Sequence, residues 1–180
     1  MRWLDVVPQQ FHHVSGMHRH SFRVSYPYSY RRDPDAAIPV ALESDGSRTS
    51  ILVTSKASPR AFEALRLLGS VNGETSRELR YLTVHNAHEA VLGSPPLEAR
   101  AIRHSLAHAS TELRDPGVLT SLRSRFGGTR VDLGLHAHRR EVFRCLGAML
   151  VALDNRLYLE LNERYNKRLQ SDGSPAARRD

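Results

Sequence analysis

Cysteine occurs once, lysine twice, and no long apolar run is present. With Cys145 alone, no intramolecular disulfide can form. It lies in the apolar run Val142-Phe143-Arg144-Cys145-Leu146, where a small buried thiol is the natural reading. A chain without disulfides suits a reducing compartment. No segment approaches the roughly 20 apolar residues of a membrane span. Met1 to Pro8 contain no apolar core of the signal-peptide kind. The expected location is therefore cytoplasmic.

The shortage of lysine gives the charge its character. Of 26 basic residues only Lys56 and Lys167 are lysine, so the net charge of +7 is carried almost wholly by arginine. A surplus of this size biases the chain toward polyanions, and arginine grips phosphate through a planar fork. The 180 residues, 40% of them hydrophobic, suffice for one cored domain with polar ends.

Three organisational parts are expected: a strand-rich extension over 1–56, a helical domain over 57–169 and a disordered tail over 170–180. Alternating stretches predict short strands at Ser21–Tyr26, Ile38–Leu42 and Thr49–Thr54, with turn chemistry at Asp33-Pro34 and Ser44–Ser47. Ser58-Pro59 then predicts a helix start, with the helix stopping at Gly69. Thr75-Ser76-Arg77-Glu78 has capping-box spacing and opens a second helix that ends near Gly93. A third runs from Ser94-Pro95-Pro96 to about Leu113, and a short fourth from Gly117 to Phe126 closes at Gly127-Gly128. The last and longest spans His138 to Leu169, with Leu146, Leu150, Leu153, Leu157 and Leu161 at intervals of four and three. That stripe reads as core, with a dimer seam as the alternative.

The ten histidines fall in five close pairs. Between His12 and His20 no cysteine or acidic residue completes a tetrahedral metal set, so His12, His13, His18 and His20 read as a surface loop. His85 and His88 share a helix face beside Glu89, but the full zinc-protease pattern is missing, and a polar face is expected for them. His136 and His138 read as loop or cap residues before the last helix. No metal site and no cofactor are expected.

His104 and His108 differ because of their neighbours. The apolar residues Leu97, Ala101, Ile102, Leu106, Ala109 and Leu113 predict the core stripe of the third helix. His104 and His108 are then one turn apart beside that stripe, Arg100 continues their row, and Arg103 lies next to it. Two imidazoles and two guanidiniums on one surface can accept a proton and hold a phosphate. Those are the parts needed to cleave RNA through its own 2′-hydroxyl.

The segment Ala101-Ile102-Arg103-His104-Ser105-Leu106-Ala107-His108-Ala109 resembles the signature of the HEPN superfamily, an arginine and a polar residue followed by a histidine after four to six intervening positions. The resemblance covers about residues 58–168. It implies a mainly α fold, a HEPN-like antiparallel helical bundle, with the small N-terminal β section outside the minimal domain. It further implies a metal-independent endoribonuclease of toxin or phage-defence type, active as a homodimer on RNA and held in check by an antitoxin or other neutralising partner. His108 would be the catalytic base, Arg103 the phosphate binder and His104 an orienting residue or one supporting the base from behind; Arg100, a turn before His104 in the same polar row, is expected to contact substrate. Ser110 stands where toxins silenced by a nucleotidyltransferase often carry tyrosine, so that mode of inhibition is not implied. Two other classes stay open: a non-catalytic RNA- or nucleotide-binding module, and a helical regulatory or interaction protein.

Overall fold

Three strands precede five helices in the computed structural model, which describes residues 23–25, 37–44, 47–71, 74, 76–108 and 115–172. Strands β1 (Arg23–Ser25), β2 (Ile38–Ser44) and β3 (Ser47–Val53) form an antiparallel sheet in that order. Asp33-Pro34, Asp45-Gly46 and the histidines at 12, 13, 18 and 20 lie outside the described residues. Ser44 nonetheless pairs with Ser47, so two residues connect β2 to β3. The register pairs Ile38 with Val53, Val40 with Ile51 and Leu42 with Thr49. It therefore places the β-branched and aliphatic side chains of both strands on one face. Ile38, Val40, Leu42 and Val53 are buried there, while Leu52 points outward.

Helix α1 (Pro59–Val71) begins where Ser58 turns the chain: its N–H bonds Thr54 O at 3.0 Å and its carbonyl accepts from Phe62 N at 2.8 Å. Proline at the first helical position loses nothing, since that N–H has no helical partner anyway. The helix does not stop at Gly69 as expected. It runs through that residue, which is buried against its neighbours, to Val71. Packing there outweighs glycine's weak helix propensity.

Helix α2 (Arg77–Leu92) is capped by Ser76 rather than Thr75. The Ser76 hydroxyl accepts from Leu79 N at 3.3 Å and donates to Glu78 at 2.7 Å. Its end is Gly93 at φ 80°, a value glycine takes without the Cβ clash. Helix α3 (Leu97–Ala107) follows, then α4 (Pro116–Phe126) and α5 (His136–Asp172). Asp115 caps α4 by accepting from Gly117 N at 2.8 Å and Val118 N at 3.4 Å, and Gly127 closes it in the left-handed conformation at φ 67°. Helix α5 starts two residues earlier than its periodicity suggests and reaches Asp172; residues 173–180 lie outside the described set.

Helix α2 is the middle of the bundle, packed by α1, α3 and α5, while β1 lies against α5. One core joins everything. Ile38, Val40, Leu42 and Val53 of the sheet belong to the same buried cluster as Phe62, Leu65, Tyr81, Ile102, Leu122 and Leu153. Leu153, Leu157 and Leu161 of the α5 stripe are fully inside, whereas Leu146 and Leu150 are half-buried against the cluster. No helix among the described residues is long and apolar enough to cross a membrane.

Candidate functional site

Helix α3 carries the arginine–histidine segment, and it is shorter than its apolar pattern predicts. The helix ends at Ala107, short of the expected Leu113, and His108 leaves it in an extended conformation (φ −119°, ψ 118°). The His108 N–H still bonds His104 O at 3.1 Å, closing the last turn. His108 nonetheless keeps its ring beside that of His104, one turn back. The His104 and His108 ring centroids are 4.7 Å apart with planes tilted by 50°. His108 is exposed and His104 half-buried. Residues 109–114 lie outside the described set.

The buried stripe of α3 also differs from its expected composition. Ala99, Ala101 and Ile102 are buried, Leu106 is half-buried and Leu97 is exposed. A buried Ala99 and a half-buried Arg103 sit one turn apart on the side that meets α2. Arg103 there acts on His85, one of the groups whose charge holds the His85 imidazole below its ordinary value. Arg100 is exposed on the outer surface. The structure thus joins Arg103, His104 and His108 at the end of α3, with Arg100 a turn away toward solvent.

Ser105, between the two histidines, ties this end in place. Its Oγ accepts from Val131 N at 2.8 Å, fastening α3 to the loop between α4 and α5. That loop is held in turn by His138, which is in the first turn of α5 rather than before it. Asp132 N donates to His138 Nδ1 at 3.0 Å, so in this neutral tautomer Nε2 donates to Phe126 O at 3.1 Å. The ring also meets Phe126 edge-on, with centroids 5.0 Å apart. His138 is a structural clasp.

Three residues near the site were not assigned to it on sequence grounds. Asp115, the α4 cap, opposes the other influences on His104 by favouring its protonated form. Burial lowers the His104 pKa most, followed by His108 and Arg103, which favours the neutral imidazole. His85 and His88 are the larger surprise, since both were expected on a polar face. They are only 2% and 7% exposed, with both ring nitrogens of His85 and Nδ1 of His88 lacking a hydrogen-bond partner. The signal existed: Tyr81, Val84, His85, His88 and Val91 follow a helical stripe, and α2 is covered on several sides. Burial lowers both histidines' pKa values, which keeps the rings neutral.

Among the described residues no three His, Cys, Asp or Glu side chains converge as a metal set would require. The groups at hand are therefore imidazole and guanidinium, which can move a proton and neutralise an anion. No family model, no curated protein and no solved structure matches the chain.

Proposed function

We propose that the protein is a metal-independent endoribonuclease of the HEPN type, serving a toxin or phage-defence system in the cytoplasm. The observation that carries this reading is the tilted His104–His108 pair, 4.7 Å between centroids, at the end of a helix whose preceding residue is Arg103. His108 takes the proton of a ribose 2′-hydroxyl. The freed oxygen attacks the adjacent phosphorus, and the bond from phosphorus to O5′ breaks. The products are a 2′,3′-cyclic phosphate and a 5′-hydroxyl, the departing O5′ taking its proton from water. Arg103 neutralises the phosphoryl oxygens as charge builds on them. His104 orients His108, and Arg100 contacts the backbone beyond the cleaved bond.

Activity requires a homodimer in this reading, because one α3 end supplies a single arginine beside the imidazole pair. An antitoxin or another neutralising partner would cover that end in the cell. Incubation of purified protein with RNA in EDTA tests the proposal. Cleavage with cyclic-phosphate ends is expected, abolished by His108→Ala and reduced at least tenfold by Arg103→Ala, with the active species eluting as a dimer. Absence of cleavage, or cleavage unchanged in His108→Ala, overturns it.

The exposed Arg100 and the arginine-borne net charge of +7 favour one second reading, a non-catalytic RNA- or nucleotide-binding module. It predicts salt-sensitive RNA binding that survives His108→Ala, falls in Arg103→Ala and is accompanied by no cleavage.

A further inference from the structure

Between α4 and α5 the chain passes the end of α3 as a strap. The Val131 N–H donates to Ser105 Oγ at 2.8 Å, which fastens the strap to the helix within the arginine–histidine segment. Val131 and Leu133 are half-buried against the core, whereas Arg130 and Asp132 are exposed. The far end is braced as well. Asp132 N donates to His138 Nδ1 at 3.0 Å, and Arg139 Nη1 to the carbonyls of Leu133 and Gly134 at 3.1 and 3.0 Å. One peptide link behind the Val131 nitrogen, the Arg130 Cα lies within about 5 Å of Ser105 Oγ. His108 is three residues on from Ser105, a side-chain separation of about 5–6 Å on a helix. An extended arginine reaches about 7 Å from its Cα by standard bond lengths. The Arg130 guanidinium and the His108 ring are thus within reach of one short stretch of a strand.

The described carboxylates around this end are already engaged. Glu98 and Glu141 hold Arg125 and Arg144, Asp115 caps α4, and Asp132 Oδ1 accepts from Gly134 N at 2.7 Å. Arg130 makes no hydrogen bond or ion pair among the described residues, and neither does Arg103. An exposed guanidinium held to no acid keeps its planar fork for an anion from outside. We infer that Arg130 is a second phosphate-binding residue, taking the backbone phosphate next to the one that Arg103 holds in single-stranded RNA. The inference rests on the reading above, in which RNA lies across the end of α3. Arg130 serves a neighbouring phosphate, so the cleaved phosphate itself still depends on the second copy.

The Ser105 bond makes the placement. Without it the strap loses its tie to α3, and Arg130 is spread over more positions at a cost in ordering when RNA binds. Ser105 is therefore a positioning residue, acting through Val131 and Arg130 without touching RNA. Asp132, exposed two residues further on, opposes the phosphate with its own charge, so one contact of modest strength is expected. The sequence offers no hint of this pairing, because Ser105 and Arg130 belong to different elements.

RNA binding separates this inference from the cleavage reading. The full-length chain carrying His108→Ala, which does not cut in that reading, is titrated with a fluorescently labelled single-stranded oligoribonucleotide. Anisotropy is followed from about 50 to about 200 mM NaCl. Adding Arg130→Ala is expected to weaken binding about fivefold and to reduce the slope of log K against log[NaCl] by about 0.7, the single-strand value for one phosphate. Arg130→Lys should restore the slope, since the charge returns. Arg60→Ala removes a likewise exposed charge on α1 and should leave both quantities as they were. Ser105→Ala changes no charge yet should weaken binding, and Ser105→Thr should restore it. Melting temperatures of the Arg130 variants should match the parent's, because that side chain gives up no bond. Unchanged slope and affinity in Arg130→Ala, or an equal loss in Arg60→Ala, overturns the phosphate contact. Binding unchanged in a folded Ser105→Ala removes the positioning role. RNA cleaved by the unsubstituted chain, with Arg130→Ala binding as its parent does, removes the contact and leaves the cleavage reading standing. RNA held through Arg130 without any cleavage does the reverse.

Discussion

At the scale of single residues, the two histidines of α2 show how little a residue's chemistry says about its surroundings. His85 and His88 occupy stripe positions that in most helices hold leucine or alanine, and the rings have almost no access to water. Burial penalises the protonated ring, and for His85 the Arg103 charge adds to that penalty. Each group therefore has a folded-state pKa below the ordinary 6.5. Below that value the unfolded chain takes up protons that the folded chain refuses. The stability these groups carry is complete above the unfolded value and drains away as the pH falls beneath it. Urea midpoints should drop between about pH 7.5 and about pH 5, and His85→Leu should flatten that fall. An unchanged slope in the folded variant would show that His85 is not the source. Arg103, His104 and His108 are a different case: their proximity was readable from spacing, because helix geometry sets it.

At the scale of elements, the helix boundaries with side-chain chemistry at them were the legible ones. Ser58-Pro59, Asp115-Pro116 and the glycines at 93 and 127 each mark a boundary for a stated physical reason. Gly127 has φ 67° with open space around its Cβ position, so its value is conformational rather than steric. Gly127→Ala should cost about 1 kcal/mol in chemical denaturation, without altering the fold. The helix end at His108 was not legible. Leu106, Ala109 and Leu113 continue a helical period, and no glycine or proline interrupts them. Ser105 instead binds the α4–α5 loop at this end, and His108 leaves the helix in an extended conformation. The outcome matters for chemistry, since it makes His108 an exposed residue at a helix mouth.

At the scale of the whole molecule, sheet and helices share one core, and a network of ions ties α3, α4 and α5 together. Ile38 is fully buried within the cluster that holds the helices together. Ile38→Ala should cost about 2–5 kcal/mol, with sheet and helix signals lost in one transition. Two separate transitions would show that the strands form an independent unit. Across the bundle, Glu98 of α3, Arg125 of α4, and Glu141 and Arg144 of α5 form a four-residue network. The Arg144 and Arg125 guanidiniums, against some burial, hold the Glu141 carboxyl down at about 2. The stabilisation it supplies is therefore whole above its ordinary 4.5 and is lost as the pH falls toward 2. Acid unfolding followed by circular dichroism should shift to higher pH with Arg144→Gln and lose part of its pH dependence with Glu141→Gln. Tyr81 sits behind this network, its hydroxyl bonded to Ala99 O at 3.2 Å and paired with Cys145 Sγ at 3.3 Å. Burial raises the thiol's pKa, as a protonated core cysteine requires.

The sequence by itself determined the helical period, three strands, most boundaries, and the neighbourhood of Arg103, His104 and His108. All of these follow from spacing along one chain segment, where local geometry is enough. Tertiary structure alone decided that His85 and His88 are core residues, that the sheet belongs to the main core, and that α3 stops at Ala107. It alone brought the α4–α5 loop, and Arg130 with it, to the end of α3. Those outcomes depend on which helix covers which, and burial is a property of neighbours distant in sequence. The arginine–histidine end of α3 was therefore visible from its residues, while the loop fastened beside it took its place only when three helices met.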